Sequence, residues 1–280
     1  MDDARYLGRQ LARQSLRELW EGVGTMGSVG KMFWAAPLPG SKQFMGVLNQ
    51  FLSPYQTNPL NINPLRQLLT RVVDFEMLAH PEHPSVVPKL FICATNVLTG
   101  RLKVFENREI TPDMIMASAC LPYLTQAPEI EGQYYWDGGY MGNPPIFPVI
   151  YDTDCRDVLI VQINPINIPE VPRTTNEIFD RINTLSFNSS LMREMRAIYF
   201  ITSLIEKGEL DSSKHKHTFI HTIDAEEVMA KLSASSKMNL DMEFLQYLFN
   251  IGREKAGEFL TNHFDKIGRQ SSTDLVAKFF

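Results

Sequence analysis

Cysteine is scarce in this chain. The three present, Cys93, Cys120 and Cys155, are far apart and form no Cys-x-x-Cys pair. A disulfide framework or a thiolate zinc site is therefore not expected, and a reducing cytoplasm is the simplest compartment. Excess positive charge is also lacking. The formal net charge is -5 and no Lys/Arg cluster occurs, which argues against nucleic acid as a partner. No apolar run is long enough to span a bilayer, so any membrane contact would be peripheral. The N-terminal Met-Asp-Asp-Ala-Arg-Tyr has no apolar core and does not read as a signal peptide.

What is present is the balance of a globular protein. The 280 residues are 44% hydrophobic and 21% charged, enough for one large domain or two small ones. Residues 3–20 read as a helix, with Leu7, Leu11, Leu16, Leu19 and Trp20 as its apolar side and Gly22, Gly24, Gly27 and Gly30 as breakers. Residues 31–59 are apolar but irregular. Met32, Phe33, Trp34 and Phe44 there fit either core packing or a lipid-facing flap. Asn63-Pro64 reads as a helix start, with Leu65, Leu68, Leu69, Val72 and Val73 as its buried stripe.

Residues 89–97 are almost continuously apolar, which predicts a strand covered on both faces, as in a parallel or mixed α/β sheet. Thr99-Gly100 turns it into a hairpin with 101–105. Thr111-Pro112-Asp113 begins a short helix, and 157–163 form another buried strand. The last third is mainly helical. One long helix is predicted over 175–207 with Gly208 as its stop, a strand over 219–223, and a helix after Asp241. The division of domains falls at 1–150 and 151–280.

Residues 117–148 carry the most chemistry. Ala117-Ser118-Ala119-Cys120-Leu121-Pro122 is followed by Trp136-Asp137-Gly138-Gly139. Together with Asn63-Pro64-Leu65 and Ala94-Thr95-Asn96-Val97, in this order and spacing, they resemble the later part of a patatin-like phospholipase domain over residues 59–165. Residues 166–280 resemble the C-terminal extension of bacterial members, including Ser235-Ser236-Lys237 and Gly252-Arg253.

The resemblance implies a three-layer α/β/α fold with a mixed, mainly parallel sheet, its early strands missing here, and a helical C-terminal extension. It implies acyl-ester hydrolysis by a Ser-Asp dyad, a lipid or acyl-ester substrate, and no cofactor. Asp137 matches the base of that dyad, and Gly138 and Gly139 let the backbone pass close to it. The nucleophile has no match, because no Gly-x-Ser-x-Gly occurs in the 280 residues. Nor does the glycine-rich oxyanion loop. The expectation is a lipid acyl hydrolase that is inactive as this chain, begun just past its nucleophile. The alternative is a non-catalytic module that binds lipid or protein.

Other serines and histidines compete for attention. Met26-Gly27-Ser28-Val29-Gly30 imitates a nucleophile turn but lacks its first glycine and a preceding buried strand. Ser118 is flanked by alanines and reads as a small-residue helix end. His215, His217 and His221 alternate and could line one side of a strand as metal ligands. Lys214 and Lys216 between them argue instead for a solvated approach to that strand.

Overall fold

The structure, a computed structural model, describes residues 2–34, 53–79, 88–232, 236 and 239–280, with side chains in the first segment from Gly8 to Gly27. The chain divides into two compact units, one of residues 1–138 and 238–246, the other of residues 139–237 and 247–280.

The first unit opens with α1, Asp2–Trp34. It does not stop at its glycines, as the sequence predicts. A Cβ on Gly22 would lie 2.6 Å from the Leu68 side chain, one on Gly24 2.5 Å from that of Met242, and one on Gly27 2.5 Å from that of Leu240. These glycines seat neighbours against the helix, and that packing outweighs their poor helix propensity of about 1 kcal/mol each. The expected apolar stripe is not buried either. Leu11, Leu16 and Trp20 are half exposed, and burial begins only at Val23 and Gly24.

Two short helices, α2 (Pro54–Thr57) and α3 (Pro64–Val72), follow, then α4 (Phe75–Ala79). The Asn63 side chain accepts the Arg66 N–H at 3.3 Å, and Pro64 fills the first position, as the sequence predicts. Leu68 and Leu69 are the buried members of its stripe.

The unit's sheet has four strands in the order β2-β1-β4-β3: β1 Phe91–Asn96, β2 Leu102–Glu106, β3 Glu129–Ile130 and β4 Gln133–Asp137. Every pairing in it is antiparallel. The apolar run of β1 is thus not a parallel strand. It is an inner strand of an antiparallel sheet, bonded along both edges. The predicted hairpin is present, with Gly100 at φ 67° closing the turn. Helix α5, Pro112–Ser118, packs on β1 and β4, and a small core of Ala94, Phe105, Ile110, Ala117 and Tyr135 forms between them.

In the second unit, α6 (Phe147–Asp152) leads into β5 (Asp157–Gln162), which pairs in parallel with β6 (Phe219–Asp224). Between the two strands runs α7, Thr175–Glu206. Its start is a capping box: Thr174 accepts the Glu177 N–H, and the Glu177 carboxylate folds back onto the N–H of Thr174. Gly208, at φ 73°, lies just past its end. After α8 (Glu226–Met229) come α9, Met242–Asn262, and α10, Leu275–Phe279.

One core joins these elements. Val158 and Ile160 of β5 and Ile220 of β6 pack with Leu191, Met195 and Ile198 of α7 and with Leu275 and Phe279 of α10. Phe259 of α9 meets the ring of His221, the β6 neighbour of Ile220, edge-on at 6.0 Å. The far edge of β6 is taken by residues 271–273: Ser272 and Thr273 donate their N–H groups to Ile220 O, and the Ser271 hydroxyl accepts the Ile220 N–H. No backbone partner lies on the opposite edge of β5 among the described residues. Among the described residues, one sheet is thus antiparallel throughout and the other is a single parallel pair, β5 with β6.

Candidate active site

Asp137 is the last residue of β4, half-buried, where the strand passes into a 3-10 turn over Gly138–Tyr140. Its backbone is fixed from two sides. The N–H donates to Cys120 O at 2.8 Å, and the carbonyl accepts the Thr95 hydroxyl at 2.9 Å. Its register partner on β1 is Ala94, which is fully buried. Two predicted motifs thus converge on one residue: Ala94-Thr95-Asn96 supplies the strand and a hydroxyl, and the Ala-Ser-Ala-Cys-Leu-Pro segment supplies a carbonyl.

Gly138 explains itself by space. A Cβ there would sit 2.3 Å from Cys93 O and 2.4 Å from Cys93 Sγ. Backbone cannot yield as a flexible side chain can, so only glycine lets β4 turn this tightly against β1. Gly139, also buried, continues the turn.

Cys120 is buried beside this strand end. Burial pushes its thiol up, the Thr125 hydroxyl works against that shift, and the negative charge of Asp137 adds to it. The carboxylate is therefore within electrostatic reach of a thiol that stays protonated. The thiol exchanges contacts with the Thr125 hydroxyl at 3.2 Å and with Gln126 O at 3.5 Å. Gln126 in turn donates to Asn58 O at 2.6 Å, so the segment after α5 is anchored to α2 as well. On the outside of α5, Arg66 forks onto Asp113 at 2.7 and 3.1 Å and holds that carboxyl below its ordinary value.

Ser118 is the final residue of α5, half-buried and two residues before Cys120, as the small-residue reading expects. Ser28 lies inside α1, so the strand-turn-helix context of a nucleophile elbow is not there. Met32, Phe33 and Trp34 fall at the end of α1, and Phe44 falls in 35–52. Their side chains, and with them the flap reading, lie outside the described residues.

The three histidines are not brought together as a ligand set. His215 Nδ1 approaches Asp211 O at 3.1 Å, and His217 Nε2 meets Glu206 Oε1 at 3.3 Å. His221 is fully buried, with Nδ1 2.9 Å from the Ser272 hydroxyl and Nε2 3.0 Å from Asp157 Oδ1. Nor is Lys216 solvated: its ammonium donates to Ile150 O and Thr153 O. Lys216 and His217 thus tie the approach to β6 to α6 and α7, whereas Lys214 is exposed.

The Ser272–His221–Asp157 chain was not legible in the sequence, since its members are 51 and 64 residues apart. It is a structural latch. The N–H groups of Ser272 and Thr273 are both spent on Ile220 O, so they offer no donor to an oxyanion. Asp157 also accepts the Gly268 N–H at 2.7 Å.

These features define an α/β protein whose polar apex is a strand-end aspartate on a turn that admits only glycine. The chain belongs to the patatin-like phospholipase family: the family model matches residues 4–150, which include all the elements just described around Asp137. No curated protein matches the chain as a relative. Membership supports lipid hydrolysis in general. Among the described residues, no helix is long and apolar enough to cross a membrane.

Proposed function

We propose that this chain is the base-bearing part of a lipid acyl hydrolase, with Asp137 as the proton acceptor for a serine that the 280 residues do not supply on a Gly-x-Ser-x-Gly turn. The observation that carries this reading is the fixed strand end. The backbone of Asp137 is held by Cys120 and Thr95, and Gly138 passes against Cys93 with no room for a side chain. A general base works only when it is held at hydrogen-bonding reach of its nucleophile, so such rigid placement has a catalytic use. Family membership supports a lipid substrate; that the bond cut is an acyl ester is part of the proposal. The Ser-Asp dyad, a role in lipid degradation, and the absence of activity in this chain alone are parts of the same proposal.

The test has two arms. The 280-residue chain should hydrolyse neither p-nitrophenyl esters nor phospholipid above background, and a fluorophosphonate should label none of its serines. Labelling at Ser28 or Ser118 would overturn the proposal. In a version extended at its N-terminus by a family Gly-x-Ser-x-Gly segment, Asp137→Asn should lower kcat by about 10⁴ while the fold stays intact, because an amide cannot take the serine proton. Near-normal turnover there would leave Asp137 as a turn residue.

A further inference from the structure

The first half of α7 turns an apolar face to solvent. Ile178, Ile182 and Leu185 stand at the i, i+4, i+7 spacing of one helix face with Phe179 beside them, and they are 44%, 55%, 51% and 61% exposed. The opposite face of the same helix is the core one, carrying Leu191, Met195 and Ile198. Exposed apolar residues that form a contiguous stripe, and are not scattered singly, mark an interaction surface.

Charge chooses the occupant. Continued along the helix, the ladder runs through Ser189 to Arg193 and Arg196, both exposed, and on to Phe200. Arg173 lies just ahead of the helix, exposed at the other end of the stripe. No acid stands on this ladder, although the chain as a whole carries -5. Asp180, half-buried, is off this ladder, and two further acids are held by backbone. The Glu177 carboxylate is bound to the N–H groups of Arg173 and Thr174, and that of Glu194 accepts the Ile146 N–H at 2.7 Å. A short apolar stretch bracketed by arginines, with no carboxylate on its own ladder, complements a phospholipid surface, with apolar side chains below the headgroups and guanidinium groups among the phosphates. A packed partner helix would favour an apolar seam continued past Leu185, where this one changes to Ser189 and Arg193.

We propose that this face of α7 is a peripheral docking site for a phospholipid bilayer. The choice of phospholipid rests on the lipid-hydrolase reading above, and the test does not depend on catalysis. The apolar stretch is only about 10 Å long, so the contact is weak and reversible.

The experiment is flotation of the full 280-residue chain with phosphatidylcholine vesicles and with vesicles of phosphatidylcholine and phosphatidylglycerol. The chain should float with both, and more with the second. The double variant Phe179→Ser, Ile182→Ser should lose about tenfold in partition on both. Arg173→Gln with Arg193→Gln should lose about fivefold per arginine on the anionic vesicles alone, and the loss should vanish at high salt. Leu185→Asn gives an independent third variant, and far-UV circular dichroism confirms the fold of each. Failure of the native chain to float, or unchanged flotation of the folded double variant, would overturn the site. So would a native dimer that the double variant converts to a monomer, since the face would then be an interface between copies. Hydrolysis assays are read separately, so an inactive chain that floats sinks neither proposal.

Discussion

In the first unit β1 is bonded along both edges, to β2 and to β4, and it presents Ala94 and Thr95 to Asp137. In the second, β5 has one bonded edge and two unlike faces. Val158, Ile160 and Gln162 are buried, whereas Leu159, Val161 and Ile163 are 46%, 67% and 62% exposed. The two sheets are thus held in different ways. The antiparallel sheet holds Asp137 through hydrogen bonds to its backbone and close approach. The parallel pair depends on one apolar face against α7 and α10, and on a polar latch through His221. A strand inside an antiparallel sheet can leave one face to solvent; a parallel pair needs its helices.

The largest effect should come from setting the two faces of β5 against each other. Ile160→Ala, in the core beside Met195, should lower the stability of the second unit by about 2–5 kcal/mol, the usual cost of emptying a packed site. Leu159→Ala, one residue away on the open face, should change it by no more than about 0.5 kcal/mol. Urea unfolding followed by far-UV circular dichroism, with hydrogen exchange across 157–162, reads both. Equal losses would mean that something covers the outer face in solution, and would erase the contrast between the sheets.

Much of this arrangement can be read without coordinates. The capping box of Thr174 and Glu177 and the stop at Gly208 mark α7 because they act within a few residues of chain. The hairpin through Gly100 and the cap at Asn63 are legible for the same reason. What the sequence hides is whatever depends on distant partners. The glycines of α1 look like breakers because nothing nearby announces Leu68, Leu240 and Met242 as the groups they seat. Leu11, Leu16 and Trp20 look like a core stripe because periodicity reports an apolar face, not its cover. The apolar run of β1 fits a parallel strand and an inner antiparallel strand equally well. At the site itself, Asp137 and its glycines are visible as a motif, while the hydroxyl that holds the backbone carbonyl of Asp137 comes from 42 residues away. Thr95 and Cys120 both lie in motifs visible in the sequence, but that a Thr95 hydroxyl and a Cys120 carbonyl, the acceptor of the Asp137 N–H, meet there could not be read from it.

The next contrast is between two glycines. Gly138→Ala puts a methyl group 2.3 Å from a carbonyl oxygen and should cost about 1–3 kcal/mol or more, with the loss centred on β1 and β4. Gly252→Ala, in α9 of the second unit with nothing within 4 Å, should add about 0.5–1 kcal/mol by helix propensity alone. Thermal melts of the two variants in parallel check this. A harmless Gly138→Ala would mean that the approach of β4 to Cys93 is looser than drawn, and with it the placement of Asp137.

Acid should separate the units further. Burial pushes the Asp157 carboxyl up, but the Gly268 N–H, the His221 imidazole and the Arg156 guanidinium together outweigh it and leave the group below its ordinary value. Asp224 is lowered in the same way: burial opposes, and Lys278 at 2.7 Å prevails. A carboxyl depressed on folding contributes stability that is fully present above its unfolded value, about 3.9, and that is lost as pH falls through the folded one. The second unit should therefore weaken below about pH 4. Glu194 works in the opposite sense, since burial raises it against the N–H groups of Ile146 and Phe147. Its contribution is greatest when protonated and declines as pH rises above the usual Glu range. Asp157→Asn should flatten the acid limb of the second unit and cost about 1 kcal/mol at neutral pH, because an amide oxygen is a weaker acceptor than the carboxylate for His221 and for the Gly268 N–H. An acid limb unchanged by that substitution would remove the latch from the account of the second unit.

The smallest effect belongs to the first unit's own ion pair. Arg66 and Asp113 are about half exposed, at 47% and 49%, and meet in a two-bonded fork between α3 and α5. The hydrogen bond from Arg66 is the main reason that the Asp113 carboxyl is lowered, so this pair too weakens as pH falls through that lowered value. Solvent screens it, however, and Arg66→Ala should cost at most about 1 kcal/mol. Added salt should shrink that difference in the first unit more than it changes the His221–Asp157 contact of the second, whose imidazole is fully buried although the carboxylate is 21% exposed. A double-mutant cycle of Arg66→Ala with Asp113→Ala, run at low and at high salt, measures it. A coupling as large as that of His221 with Asp157, and no more sensitive to salt, would show that the first unit is held by side-chain polarity after all, and would remove the distinction between a sheet fixed by its backbone and one fixed by a buried latch.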